Sequence, residues 1–236
     1  MTRSTIRRLA GGVAATALAV TTLAAAGAAP AQASSCTTQT TIQVNGNAAN
    51  KTVTYGQSAS IWAQTVITGC DDTTAGNGKR PPGTLVIQRS ADGRSWSTLA
   101  TGADSHATYF GPIPRTVFYR AVHNGSTYAS HTFGRSSDSL RVAVKRYVKV
   151  VDRSTSRRSV GVFKIRPAAS IRGMRAVFQV RRNGAWRSYK RVLVPRTGNV
   201  RATFANSRRG IKYRMVLPSA RGFVKASYGP FVARRY

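Results

Sequence analysis

The residues able to do acid–base or nucleophilic chemistry are few. The chain holds three histidines, His106, His123 and His131, and six acidic residues, all aspartate. Asp104 and many serines lie near the histidines in sequence, so a Ser-His-Asp set is conceivable. However, no G-x-S-x-G elbow, H-E-x-x-H helix or C-x-x-C pair accompanies it. Glycoside hydrolysis needs two carboxylates facing each other across a cleft. Five of the six aspartates fall in turn- or loop-like contexts, which makes such a pair unexpected. Asp71 and Asp72 are adjacent, and two neighbouring carboxylates do not build a calcium cage. The sequence therefore predicts no catalytic residue, no metal and no cofactor; a hydrolase is the least favoured class.

Binding chemistry is better supplied. Arg181, Arg182, Arg187, Lys190 and Arg191 surround Trp186 and Tyr189 in one short stretch. Arg208, Arg209 and Lys212, with Arg214 beside them, form a second cluster. From residue 34 onward arginine outnumbers lysine 26 to 8. Guanidinium holds phosphate or carboxylate through two hydrogen bonds and stacks on aromatic rings. These clusters predict salt-sensitive attraction to anionic cell-envelope or extracellular polymers, and nonspecifically to nucleic acid. Two alternatives stay open: a basic surface that is merely solvated, and a protein–protein adhesion role with partners at the sheet edges or on an exposed apolar patch.

Charge is divided between two halves. Residues 34–145 hold ten Lys/Arg against five Asp, whereas 146–236 hold 24 against Asp152 alone. Net charge bears on partners rather than on fold, so the second half is where polyanions should gather.

The first 33 residues read as a secretory signal peptide: Arg3, Arg7 and Arg8, an apolar run Leu9–Ala29, then Ala31-Gln32-Ala33 as a cleavage site. The Arg7-Arg8 pair leaves general and twin-arginine export both open. No later apolar run is long enough to span a bilayer. An exported chain with two cysteines most simply joins them, so Cys36 and Cys70 are expected to form a disulfide. Lipidation of Cys36 is the rival and would leave Cys70 unpaired.

The elements that position these residues are strands. Leu85–Ala100 reads as a β-hairpin with a turn at Asp92-Gly93 and Trp96 opening the return strand. Its parts recur at Val177–Val194: Val86 and Gln88 answer to Val177 and Gln179, Asp92-Gly93 to Asn183-Gly184, and Trp96 to Trp186. Tyr119-Arg120-Ala121-Val122 likewise answers to Tyr213-Arg214-Met215-Val216. A hairpin that occurs twice implies a domain that occurs twice. Trp186, as the counterpart of Trp96, is expected to pack in the core or on its hairpin rather than serve as a ligand platform, and Trp62 either to pack on the neighbouring domain or to stand as an exposed aromatic. Thr37–Val44 reads as an edge strand, and Phe223–Val232 as a last strand interrupted at Gly229-Pro230. No sustained helical period follows residue 33, and short strands between turns mean an all-β sandwich.

VTYGQSASI at 53–61, GTLVIQRSADGRSWSTLATG at 83–102, YRAVHNG at 119–125 and SSDSLRVAV at 136–144 resemble the bacterial Ig-like repeats of secreted actinobacterial proteins. RRNGAWRSYKRVLV and YRMVLP in the second half look like a divergent copy. The resemblance implies two tandem Ig-like β-sandwiches, 34–145 and 146–236, acting as extracellular spacers, adhesion modules or carbohydrate- and wall-binding appendages without catalytic residues. Tyr119 or Tyr213 would then stand at a tyrosine corner, with its hydroxyl bonded back to the main chain.

Overall fold

The computed structural model describes residues 33–70, 76–204 and 210–233, which belong to one compact unit. Residues 1–32, on which all but the last residue of the expected signal peptide falls, Asp71 and Asp72, and Arg208 and Arg209 lie outside the described residues. The fold is nearly all β, and no helix among the described residues is long and apolar enough to cross a membrane.

Residues 34–145 supply β1 (Ser34–Val44), β2 (Lys51–Thr54), β3 (Ser58–Cys70), β4 (Leu85–Ser90), β5 (Ser97–Gly102), β6 (His106–Pro112), β7 (Val117–His123), β8 (Ser126–Tyr128), β9 (His131–Phe133) and β10 (Ser136–Lys145). They form two sheets, β6-β3-β1-β9-β8 and β2-β10-β7-β4-β5. Alternation puts Ile42, Ile61, Leu85, Ile87, Tyr119 and Val142 between the sheets, all buried in one core. Cys36 and Cys70 face each other across β1 and β3 and are joined by a disulfide, Cα atoms 4.1 Å apart.

The second half supplies β11 (Tyr147–Asp152), β12 (Ser159–Arg166), β13 (Arg175–Arg182), β14 (Ala185–Leu193), β15 (Asn199–Phe204), β16 (Lys212–Leu217) and β17 (Ala226–Val232), with a short 3-10 turn at Ala168–Ile171. Its sheets, β11-β12-β15 and β14-β13-β16-β17, enclose a separate core around Phe163, Phe178, Phe204 and Met215.

The recurring hairpins agree in detail. Each has a bulge at the same place, opposite Ile87/Gln88 in the first and Phe178/Gln179 in the second, which leaves Leu99 and Tyr189 as the extra residues. Their turns differ. Asn183 and Gly184 both take positive φ, 48° and 76°, and close a two-residue turn between Arg182 and Ala185. In the first hairpin the last pair is Arg89–Ser97 and only Gly93 is left-handed. There Asp92 Oδ1 instead accepts from the amides of Arg94 and Ser95 and from Ser90 Oγ, organising a longer loop. Those bonds hold its pKa down at about 2.

Several expectations are corrected. Thr37–Val44 is an edge as expected, pairing with β3 alone, but β1 starts earlier, and its first residues Ser34–Cys36 also pair in parallel with β9. Beyond β9 its open edge is closed by side chains, Asp138 Oδ2 accepting from Ile42 N at 3.0 Å and Ser136 Oγ bonding Thr40 at 2.7 Å. Trp62 packs edge-on against His106 of its own sheet, ring centroids 5.7 Å apart. Gly229-Pro230 does not break the last strand: both residues oppose Arg214 as a bulge, which spares the ladder the amide that proline lacks. Tyr119 Oη is buried with no hydrogen-bond partner, so it makes no tyrosine corner.

The halves are joined by more than a linker. Phe223 leaves the second half and packs in the first core beside Tyr55, ring centroids 5.9 Å apart, so the last strand begins only at Ala226. Thr116 N donates to Gly222 O and Val224 N to Val144 O.

Candidate functional site

The basic cluster sits on the outer face of β14-β13-β16-β17. Phe178 and Val180 point into the core, so Arg175, Val177, Gln179 and Arg181 face out. Register carries that face across the sheet: Trp186 lies opposite Arg181, Arg191 opposite Val177, and Arg214 opposite Gln179. Lys212 follows on the same side, two residues before Arg214. Arg175, Arg181, Arg191 and Lys212 are exposed.

Arg214 is the organising member. Its Nε donates to Gln179 Oε1 at 2.7 Å, and its guanidinium lies 4.6 Å over the Trp186 ring. The stack covers one face of Trp186 with a side chain from β16, outside its own hairpin, and leaves the ring half-buried. Arg191 and Arg181 stand on either side.

The remaining candidates are placed differently. Arg182 lies opposite Ala185 and Arg187 opposite Val180, in register with the core face but exposed at the projecting hairpin end. Lys190 lies opposite buried Phe178, so it turns inward. Its Nζ donates to Thr203 O at 2.5 Å and sits over the Tyr189 and Phe204 rings, and burial lowers its pKa. Tyr189 packs on Phe204 and Tyr213 and belongs with the core. Neither residue shares the outer face.

Two features were missed from sequence. Arg175 extends the outward row by one pleat, which continuing the alternation from Val177 would have found. Lys149 and Lys164 are paired directly across β11 and β12, both exposed. Like charges opposite each other in a sheet repel, and a bound anion relieves that cost. Finding that pair requires the register.

The histidines are dispersed. His106 contacts Trp62, and His131 stacks on Phe133. His123 ends β7 with its ring buried between Pro82 O and Gly134 O, each 3.4 Å away. Among the described residues no group of three His, Cys or Asp could hold a metal. A cleft of about 380 Å³ opens between β11–β12 and β17, walled by Val150, Phe163, Phe204 and Phe231, with Asp152 on its rim. No family model and no curated protein matches the chain.

Proposed function

We propose that this is a secreted, non-catalytic protein of two tandem Ig-like sandwiches whose second sandwich attaches to anionic cell-envelope or matrix polymers. The observation that carries this reading is the single sheet face bearing Arg175, Arg181, Arg191, Lys212 and Arg214 around Trp186. The half it belongs to has Asp152 as its sole acidic residue. That face offers guanidinium forks at pleat spacing, a geometry suited to a chain of phosphates or carboxylates. The sandwich-like halves, the Cys36–Cys70 disulfide and the duplicated hairpin support the architectural part of the reading.

The test is retention of the chain on isolated cell walls, with and without their anionic polymers, at low and high salt. Retention should require the polymers, fall steeply with salt, and weaken at least tenfold on combining Arg181→Glu with Arg191→Glu. Equal retention after the polymers are stripped would overturn the assignment.

A further inference from the structure

The sheet β6-β3-β1-β9-β8 contains no lysine, arginine or acidic residue in any of its five strands. The whole chain carries a net charge of +31, and each of the other three sheets bears cations. Because Ile42, Ile61, Ala63 and Ala107 point into the core, the outward positions of β1, β3 and β6 fall mostly to Thr, Ser and Gln, with Trp62, Val66, His106, Phe110 and Pro112 among them. Trp62 lies between Gln43 of β1 and Thr108 of β6, and Gln64 lies opposite His106. Phe110 lies opposite Ser60 and is 75% exposed. Trp62 and Phe110 are thus diagonal neighbours on one outer face, about 7–8 Å apart.

We propose that this face binds a neutral polysaccharide, with Trp62 and Phe110 packing on the C–H faces of its sugar rings and Gln43 and Gln64 bonding its hydroxyls. Charge decides among occupants. A polyanion finds no counter-charge here and is drawn to the second half instead. A sugar hydroxyl both donates and accepts, and so does a glutamine side chain. The surrounding positive field neither attracts nor repels an uncharged chain. The edge contact from His106 fixes the Trp62 ring on the surface. This inference is independent of polyanion binding, because it uses the other half of the molecule.

The experiment is pull-down of the full chain on cellulose, chitin and starch granules in about 1 M salt, where charges are screened within about 3 Å. Retention on at least one is expected, with a drop of about tenfold for Phe110→Ala and for Trp62→Ala. Phe110→Ala removes an exposed ring, so it should keep the wild-type thermal midpoint, which separates lost binding from lost fold. No retention on any of the three, or equal retention of both variants, would overturn the proposal. So would sedimentation showing that wild type dimerises and Phe110→Ala does not, since the face would then belong to a second copy.

Discussion

The guanidinium of Arg146 lies 4.9 Å above the ring of Phe223, joining the first residue past β10 to a second-half residue inside the first core. Arg146 is fully buried, and its bonds run to Ser170 Oγ and O, Pro218 O and Ala220 O, at 2.8–3.2 Å. Burial lowers its pKa, and the carbonyl oxygens take the place of a carboxylate.

Removing this side chain strands several oxygens in a dry joint. Arg146→Ala should cost about 3 kcal/mol. Urea unfolding followed separately by Trp62 and Trp186 fluorescence should show one shared transition in the wild type and two in the variant. Coincident transitions at an unchanged midpoint would mean that the halves are coupled elsewhere. Phe223→Ala should cost a similar amount and lower chiefly the first transition.

Two tyrosines, Tyr119 buried and Tyr228 half-buried, should respond in opposite directions to loss of the hydroxyl. Burial pushes both Tyr119 and Tyr228 up to about 12. Tyr228 Oη donates to Arg146 O at 2.5 Å, whereas Tyr119 Oη has no partner. Tyr228→Phe should cost about 1 kcal/mol, while Tyr119→Phe should be neutral or stabilising by about as much. Unfolded tyrosine titrates near 10, so between about pH 10 and 12 the native state holds more protons than the unfolded one. Stability is therefore intact below pH 10 and falls as pH rises towards 12. Tyr119→Phe should flatten part of that fall in alkaline thermal melts, and a curve parallel to wild type would refute the burial argument.

The duplicated hairpin was legible because its signals are local: Asn183-Gly184 requires left-handed backbone, and Gln179 and Trp186 stand at fixed offsets from it. Sidedness was legible only as far as period two held. One extra residue in β14, at Tyr189, sends Lys190 inward, although counting back from Arg191 never reveals a bulge. The pairing of Ser34–Cys36 depends on β9, almost a hundred residues away, and the capture of Phe223 depends on the other half's core. No local pattern reports either. The neutral face of the first half was not legible, because only the assembly of β6, β3, β1, β9 and β8 into one sheet turns five separate uncharged stretches into a surface.

The Gln–Arg–Trp cluster occurs twice and allows an internal control. Arg120 Nε donates to Gln88 Oε1 at 2.6 Å and its guanidinium lies 4.3 Å over Trp96, matching Arg214 with Gln179 and Trp186. Double-mutant cycles of Arg120 with Trp96 and of Arg214 with Trp186 should each give a coupling of about 1 kcal/mol. If the second pair coupled strongly in the free protein but lost that coupling when polyanion bound, Arg214 would be a ligand contact as well as a packing residue. Equal coupling in both states would confine it to packing.

The disulfide should act on the first half alone. It closes a loop of 34 residues' separation, and the chain-entropy account assigns such a loop about 4 kcal/mol. Cys36 is buried with Ile67 and Phe133 in a small cluster apart from the main core, so little packing there would compensate for its loss. In the Arg146→Ala background, where the halves unfold separately, reduction, or Cys36→Ser with Cys70→Ser, should lower the midpoint reported by Trp62 more than that reported by Trp186. Retention on anionic walls should survive while the second half stays folded. If reduction left both midpoints unchanged, the unfolded first half would already be confined without the bridge, and the entropic account would fail for this protein.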